Sequence, residues 1–405
     1  MTDHNLSSGP LDGVLVVDLS RALAGPHATM MLGDLGARVV KVEAPGAGDD
    51  TRGWGPPFVE GSDGGRQSTY FLSTNRNKES IALDLKDDAP GGDREVLLGL
   101  VDRADVLVEN FRTGVLERLG LSIESLVARN PRLVVLSITG FGHDGPEGGR
   151  AGYDQIAQGE AGLMSLTGSG PEDPQRVGVP IADLLSGMYG AYGVLAALHE
   201  RARTGRGRVV RTSLLAAVVG VHAFQGTRWT VAGEVGVAQG NHHPSIAPYG
   251  LFRCRDGAVQ IALGSEGLWR RFCAGFGLDP DAEGLATNPE RVAVRERVIE
   301  VVEAAFADWD AEPLLARLAE VGVPAGKVRT LDEVYAWEQT RSQGLLTEVD
   351  HPTLGAVTLP GPPLRFFDGE GVEVTRSRHE APPLLDEHGP ALREWLRDPG
   401  TESPQ

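Results

Sequence analysis

The stretch that decides the fold is residues 14–43, VLVVDLSRALAGPHATMMLGDLGARVVKVE. Its apolar start, residues 14–18, predicts a strand covered on both faces. Gly25-Pro26 suits the first turn of a helix, and the following residues predict that helix. Residues 37–43 predict a second strand. Strand, helix and strand within about thirty residues make a βαβ unit, which predicts a right-handed crossover and parallel strands.

The same alternation continues beyond this unit. Strand-like runs recur at 80–85, 105–109 and 133–138, and helix-like segments separate them. This alternation predicts an α/β protein with one Rossmann-like, doubly wound parallel sheet. Ligands of such sheets bind at the carboxyl ends of the strands. A dinucleotide is the less favoured ligand, because the loop after the first strand reads SRALAG and lacks G-x-G-x-x-G.

The chain of 405 residues exceeds what one core usually spans, so a second domain is expected. We predict that a large Rossmann-like domain begins with residues 1–208. A linker helix and a loop rich in Gly and His follow at 209–248. A smaller α/β domain is predicted at 249–330, where Asp256-Gly257 marks a hairpin turn. The return segment 331–405 completes the large domain.

Composition limits the partners and the compartment. The formal net charge of −18 and the pI near 5.0 argue against nucleic acid, because phosphate binding needs a basic surface. Cys254 and Cys273 lack metal or CxxC spacing, which indicates an intracellular protein. Residues 1–13 carry neither a basic nor an apolar region, so no signal peptide is predicted. We therefore predict a cytoplasmic protein with no membrane partner.

An aspartate at the start of a long apolar segment is the candidate functional residue. Asp183 precedes residues 184–198, whose apolar side chains cover most of a helix and predict that this helix is buried. Gly187, Gly190 and Gly193 indicate that another backbone approaches it closely. Asp183 could cap this helix or act as a nucleophile beside its backbone amides. Position alone leaves both roles open.

The ordered motifs of the chain resemble those of family III CoA-transferases of the formyl-CoA and carnitine type, over residues 11–395. The matching stretches are LAGPHATMMLGDLGARVVKVEAPGAGDDTRGWGPPF, STYFLSTNRNKESIALDLK, ADVLVENFRTGVLERLG, SITGFGHDGP, RAGYDQIAQ, VGVPIADLLSG, RTGRG, GNHHPSIAPYGLF and HPTLGAVTLPGPPLRF. The resemblance implies an interlocked homodimer. It also implies that CoA moves from an acyl-CoA to a free carboxylic acid through an aspartyl-CoA thioester.

On this resemblance, Asp183 takes the position of the catalytic aspartate. Coenzyme A and acyl-CoA are then substrates, and no tightly bound cofactor is expected. The positions expected to contact CoA are Leu83, Lys86, Asn110, Phe111, Arg118, Leu119, Phe141 and Tyr153. The segments GAGDDTRGWGPPF and STYFLSTNRNKESIA look most like members acting on succinyl-CoA and glutarate. A dicarboxylate needs a cation near Asp183, and the candidates are Arg52, Arg176 and His243.

Two alternatives remain at this stage. An α-methylacyl-CoA racemase or epimerase would need a second proton-transfer group, a histidine of a GHD motif. The matching motif here is AGYD, and Tyr153 of ordinary pKa suits enolate chemistry poorly. A non-catalytic acyl-CoA-binding protein is the other alternative. No metal site is expected, since His242 and His243 are adjacent and no acidic or Cys cluster accompanies them.

Overall fold

The computed structural model describes residues Gly9–Arg397, so the ends of the predicted segments at 1–8 and 398–405 lie outside it. Its strands, in chain order, are β1 Leu15–Asp18, β2 Arg38–Glu43, β3 Phe58–Glu60, β4 Arg66–Ser68, β5 Lys78–Ala82, β6 Val106–Glu109, β7 Val134–Thr139, β8 Val209–Ser213, β9 Tyr249–Cys254, β10 Gly257–Ala262, β11 Ala325–Gly326, β12 Leu346–His351 and β13 Gly355–Pro360.

The helices connect these strands and cover the sheet. In chain order they are α1 Ala24–Asp34, α2 Thr69–Leu72, α3 Asp93–Arg103, α4 Val115–Arg118, α5 Ile123–Arg129, α6 Asp154–Glu160, α7 Ile181–Thr204, α8 Leu214–Gly220, α9 Ala223–Ala232, α10 Glu266–Phe276, α11 Asn288–Ala293, α12 Arg295–Phe306, α13 Ala311–Glu320, α14 Leu331–Ala336, α15 Glu338–Ser342 and α16 Gly389–Arg397. Short 3₁₀ helices lie at Asp50–Gly53 and Met164–Leu166.

The main sheet has six parallel strands in the order β5-β2-β1-β6-β7-β8. The chain builds outward from β1 in one direction and then from β6 in the other. This confirms the predicted Rossmann-like, doubly wound sheet. The point where the strand order reverses lies between β1 and β6, and ligands of such sheets bind at this point.

Two compact units divide the chain. Within the described residues, the first comprises 9–161, 178–227 and 338–397, and the second comprises 162–177 and 228–337. The first holds the six-stranded sheet, with a core that includes Val17, Val40, Leu107 and Val135. The domain boundaries predicted from the sequence, after residues 208, 248 and 330, stay predictions.

The second unit holds an antiparallel sheet of order β11-β10-β9, packed with helices. Residues 255–256 turn the hairpin between β9 and β10, with Cys254 paired to Gly257. Its core includes Phe252, Trp269 and Phe306, all nearly inaccessible to solvent. The smaller α/β part of the predicted fold is therefore present.

The long helix α7 is buried on one face rather than all around. Among the described helices, it alone is long and apolar enough to cross a membrane by length and composition. It packs against α1, β7 and β8. A Cβ on Gly187 would lie 2.6 Å from the Ala24 carbonyl oxygen, so the predicted backbone approach occurs there.

The opposite face of α7 is exposed in the single chain, with Tyr192 71% exposed. The prediction that this helix is buried is therefore wrong for one of its faces in the single chain. The side chains that predicted burial lie on both faces, and the first unit covers only the face that carries Gly187 and Ala191. Periodicity identifies apolar side chains but not what covers them.

Candidate active site

A cavity of about 340 Å³ opens in the first unit, at the point where the strand order reverses. The loops that follow β1, β6 and β7 contribute to its wall, together with the starts of α6 and α7. Its lining residues are Arg21, Ala22, Ala24, Asp50, Trp54, Tyr70, Asn110, Phe111, Arg112, Thr113, Ile138, Thr139, Gly140, Arg150, Ala151, Gly152, Tyr153, Asp154, Gln155, Pro180, Asp183 and Leu214. The sequence analysis placed ligands at this edge of the sheet, and the cavity lies there.

Asp183 lines this cavity from the first turn of α7. The helix is capped by Asp154, whose Oδ1 accepts hydrogen bonds from the amides of Ala182 at 2.8 Å and Asp183 at 3.4 Å. Asp154 Oδ2 in turn accepts a hydrogen bond from Gln158 Nε2 at 2.7 Å. Because Asp154 satisfies these first amides, the Asp183 side chain is not the cap of its own helix.

The protonation of Asp183 is unusual for an aspartate. Burial, followed by the neighbouring Asp154 carboxylate, raises the pKa of Asp183 from 3.8 to about 7. Burial penalises the charged form, and a nearby like charge penalises it further. A carboxylate with a raised pKa is more basic, and therefore more nucleophilic, than an exposed one once it has lost its proton.

Two loops of the cavity are joined by a buried ion pair. Lys41 and Asp49 are nearly inaccessible to solvent, and Lys41 Nζ lies 2.8 Å from Asp49 Oδ2. Lys41 also donates to the Ser20 carbonyl oxygen at 2.9 Å, while Asp49 accepts the Ala22 amide at 3.2 Å. Ala22 has φ of 65°, a conformation that non-glycine residues adopt only where the surroundings fix it. The pair therefore fixes the loop after β1 against the segment that begins with Asp49.

Aromatic side chains form another part of the wall. Trp54 and Tyr70 meet edge to face with ring centroids 5.0 Å apart. Burial, followed by the Asp183 carboxylate, raises the pKa of Tyr70 to about 12. Tyr70 therefore keeps its proton at physiological pH and can donate a hydrogen bond into the cavity.

Three of the residues expected to contact CoA line this cavity: Asn110, Phe111 and Tyr153. Asn110 accepts a hydrogen bond from the Arg21 amide at 2.8 Å and donates one to the Arg21 carbonyl at 2.7 Å. Tyr153 is 62% exposed. Phe141 is buried and does not line the cavity. The guanidinium of Arg150, a lining residue, lies 4.5 Å from the centroid of its ring.

The other expected CoA contacts lie elsewhere in the first unit. Leu83 is buried in the core, and Leu119 packs against the same core. Lys86 is exposed in the loop after β5, and Arg118 is exposed at the end of α4. The structure brings none of these four into the lining of the cavity, and their contact with CoA stays a prediction.

The three candidate cations have separate environments. Arg52 makes a bidentate ion pair with Glu43, at 2.6 and 2.7 Å, and stacks on Phe71 with 3.7 Å to the ring centroid. This arrangement occupies its guanidinium within the protein. Arg176 and His243 belong to the second unit, where the His243 ring stacks on Tyr249 at 5.1 Å. Burial and the nearby Arg295 lower the pKa of His243.

Sequence reasoning did not single out Arg21, Tyr70, Arg112, Arg150 and Asp154 as functional. The signal for Arg21 was its position in the loop after the first strand, at the carboxyl edge of the sheet. Asp154 stands beside Tyr153 in AGYD, but its contact with α7 joins residues 28 positions apart. Among residues 9–397, no group of three His, Cys, Asp or Glu side chains is arranged to hold a metal ion.

Comparison with known proteins identifies the family. Residues 11–389 match CoA-transferase family III. The mouse succinyl-CoA:glutarate CoA-transferase is 40% identical over 394 residues, which cover 96% of this chain and 87% of the mouse protein. The succinate–glutarate CoA-transferase of Agrobacterium fabrum is 40% identical over 392 residues, 96% of each chain.

A solved structure agrees with this assignment. The crystal structure of a CAIB/BAIF family protein from Brucella suis is 41% identical and has a TM-score of 0.83, covering 96% of this chain and all of that one. Its similarity extends over both compact units of the chain. The chain therefore belongs to CoA-transferase family III, whose members transfer CoA between carboxylic acids.

Proposed function

We propose that the enzyme transfers CoA through a thioester on Asp183. The Asp183 carboxylate attacks the carbonyl carbon of an acyl-CoA, and the CoA thiolate leaves. The product is an anhydride between Asp183 and the acyl group. The thiolate then attacks the Asp183 carbonyl of that anhydride, so the donor acid departs as a carboxylate and aspartyl-CoA remains.

The acceptor acid completes the cycle in reverse order. Its carboxylate attacks the aspartyl-CoA carbonyl and expels the thiolate, which gives a second anhydride. The thiolate attacks the acceptor's carbonyl, releases the new acyl-CoA and restores the Asp183 carboxylate. Every bond that breaks is replaced, and water takes no part. Water must therefore be excluded from the anhydride, which it would hydrolyse.

The observation that carries this proposal is the cap of α7. Because Asp154 binds the first amides, the Asp183 carboxylate is available for attack. Its raised pKa supplies basicity that an ordinary aspartate lacks. The cavity lies where the strand order reverses, a position that suits a large nucleotide ligand. We assign CoA as that ligand.

We assign succinyl-CoA as donor and a dicarboxylate such as glutarate as acceptor. The support is the similarity to the mouse and Agrobacterium proteins, whose names specify these acids. A panel of free acids offered with succinyl-CoA tests this assignment. Glutarate and other dicarboxylates should be the best acceptors, and a preference for monocarboxylic or aromatic acids would contradict it.

The thioester is tested by trapping. The protein is incubated with succinyl-CoA and then hydroxylamine, digested, and the peptide containing residue 183 is examined by mass spectrometry. A hydroxamate is expected on Asp183, and also in an Asp50→Asn control that removes a carboxylate from the same cavity. Asp183→Asn should show none. CoA exchange without label on Asp183 in the unsubstituted protein would refute the mechanism.

The same preparation distinguishes the two alternatives. A racemase would show no hydroxamate but would exchange the α-hydrogen of a 2-methylacyl-CoA with deuterium from D₂O. A non-catalytic binder would show neither reaction. Both measurements use the whole chain. A transferase should give hydroxamate without α-hydrogen exchange, because the thioester pathway leaves the α-carbon untouched.

We further propose a homodimer, interlocked as the family resemblance implies. The exposed apolar side chains of α7, including Met188, Tyr189 and Tyr192, are its support, since contiguous apolar surface favours association. Light scattering should give twice the chain mass of 43.0 kDa. Tyr192→Glu should lower the dimer fraction at micromolar concentration, and a monomeric unsubstituted protein would contradict the proposal.

We also propose that the enzyme acts in the cytoplasm, without a tightly bound cofactor. Cys254 and Cys273 are free thiols, as is usual in a reducing compartment. Cell fractionation should recover the protein with cytoplasmic markers, and recovery with membranes would contradict this. The purified protein should show no cofactor absorbance and should be active after extensive dialysis.

A further inference from the structure

Arg21 brings a positive charge to the cavity that contains Asp183. It lies in the loop after β1, at the reversal of the strand order. The same cavity is lined by Asp50 and Asp154, and the whole chain carries a net charge of −18. A dianionic acid that enters this cavity therefore meets repulsion unless a local cation offsets it.

The backbone of Arg21 is fixed on both sides. Asn110 pairs with its amide and its carbonyl oxygen at 2.8 and 2.7 Å. The next residue, Ala22, donates to the buried Asp49 at 3.2 Å. The preceding residue, Ser20, accepts from the buried Lys41 at 2.9 Å. A cation on so constrained a loop is preorganised, which reduces the entropy lost when a ligand binds.

The guanidinium of Arg21 is held loosely by protein charges. It lies 5.3 Å from the centroid of the Phe111 ring and 3.7 Å from Asp50 Oδ2. The Arg21 side chain is 48% exposed and that of Asp50 is 59% exposed. A separation of 3.7 Å is longer than a hydrogen bond, and an exposed pair of this kind contributes little. A carboxylate of a ligand can therefore displace Asp50.

A second arginine in the wall is already occupied. Arg150 makes a 2.5 Å ion pair with Glu160, another at 3.5 Å with Glu147, and stacks on Phe141. Arg52, the cation that the sequence suggested, is held by Glu43 in the same way. The third arginine of the wall, Arg112, is exposed. Arg21 combines a backbone held on both sides by Asn110 with a weak ion pair to Asp50.

We propose that Arg21 binds the distal carboxylate of a dicarboxylic substrate while the other carboxyl group reacts at Asp183. This inference rests on the proposed function and names the specificity-determining residue of the same site. An arginine fork matches a carboxylate with two parallel hydrogen bonds. A substrate carboxylate left unpaired in the cavity would lose solvation without compensation.

The test compares acids of equal length that differ in one carboxyl group. Arg21→Met is assayed with succinyl-CoA and butyryl-CoA as donors, and with glutarate and valerate as acceptors. We expect kcat/KM for succinyl-CoA and for glutarate to fall about 10- to 100-fold, the effect of one charge-assisted bidentate contact. Values for butyryl-CoA and valerate should change less than about threefold, because these acids lack the distal carboxylate.

Two further variants sharpen the comparison. Arg21→Lys keeps the charge without the fork and should recover part of the preference for dicarboxylates. Arg203→Met removes the same charge from an exposed position in the last turn of α7 and should leave all four values unchanged. If butyryl-CoA reacts too slowly to be assayed, glutarate and valerate are compared as inhibitors against succinyl-CoA. The ratio of their inhibition constants gives the same information.

Parallel loss with all four substrates would overturn the proposal, since it would mean that Arg21 binds the CoA phosphates or supports the loop. An unchanged ratio of glutarate to valerate would overturn it as well. Hydroxamate trapping with butyryl-CoA separates this failure from failure of the proposed function. If Arg21→Met still forms a hydroxamate on Asp183, the thioester mechanism is supported independently of the role of Arg21.

Discussion

Asp154 and Asp183 are joined through a backbone amide: Asp154 Oδ1 accepts a hydrogen bond from the amide of Asp183 at 3.4 Å, and from that of Ala182 at 2.8 Å. Both carboxylates line the same cavity. Asp154 thus fixes the start of the helix that carries the proposed nucleophile. Burial is the main cause that raises the pKa of Asp183, and the Asp154 carboxylate raises it further. The two effects can be separated by substitution.

The first prediction concerns the pH profile. Attack requires the Asp183 carboxylate, whose pKa is raised to about 7. We therefore expect kcat/KM to fall below pH 7, approaching about tenfold per pH unit. Asp154→Asn keeps an oxygen that can cap the helix but removes the neighbouring charge, so the acid limb should move to lower pH. Asp50→Asn is the matched control, and an acid limb that stays in place in Asp154→Asn would contradict the assignment.

The second prediction concerns the cost of the buried carboxylate. Because folding raises the pKa of Asp183 above 3.8, the folded state retains a proton that the unfolded chain has lost. Its contribution to stability therefore declines as the pH rises from about 4 to about 7. Asp183→Asn should raise the free energy of unfolding at pH 8 by roughly 1–2 kcal/mol, a value discounted for its partial exposure. The gain should shrink towards pH 4, and lower stability at pH 8 would contradict this account.

The third prediction concerns the ion pair between Lys41 and Asp49. Lys41→Met leaves Asp49 buried without its cation, which should lower the free energy of unfolding by about 3–5 kcal/mol. Arg270→Met is the control, because it breaks an equivalent pair with Asp281 whose side chains are 56% and 59% exposed. That change should cost less than about 1 kcal/mol. Denaturant titrations measure both losses. An equal loss of unfolding free energy in Lys41→Met and Arg270→Met would show that burial does not increase the cost of breaking the Lys41–Asp49 pair.

The fourth prediction concerns the contact between α7 and α1. Gly187→Ala would bring a Cβ to 2.6 Å from the Ala24 carbonyl oxygen and 3.1 Å from His27 Cδ2. The helices must separate to admit it, and we expect a loss of about 1–3 kcal/mol in the free energy of unfolding. Gly267→Ala is an exposed helical control, whose Cβ would meet only Ser265 Oγ, at 3.9 Å. It should stabilise the protein by about 0.5–1 kcal/mol, and a similar gain at Gly187 would refute the close packing.

The periodic features of the chain were predictable. The runs that predicted strands at 14–18, 37–43 and 133–138 overlap β1, β2 and β7. Such strands are recognisable because burial on both faces requires continuous apolar residues. The boundary between α11 and α12 is different, since Val294 separates these helices and has non-helical dihedral angles. The sequence there has no Gly or Pro that would have indicated the break.

Contacts between distant residues were not predictable in this way. The Asn110 side chain holds Arg21 across 89 positions, and Asp154 caps a helix 28 positions later. Arg52 and Glu43, which form an ion pair, are close in the sequence. The stacking of Arg52 on Phe71 was not apparent from the sequence. Arg52 therefore looked like a substrate cation in the sequence, while the cavity presents Arg21.

The sequence by itself determined the doubly wound sheet, the carboxyl edge at which the candidate site lies, and Asp183 as the candidate nucleophile. These follow from local periodicity and from ordered motifs, both of which the linear chain records. The tertiary structure alone decided that Asp154 caps α7, that Arg21 rather than Arg52 lines the cavity, and that one face of α7 is uncovered. Each depends on which distant side chains meet, and that is fixed by packing in three dimensions.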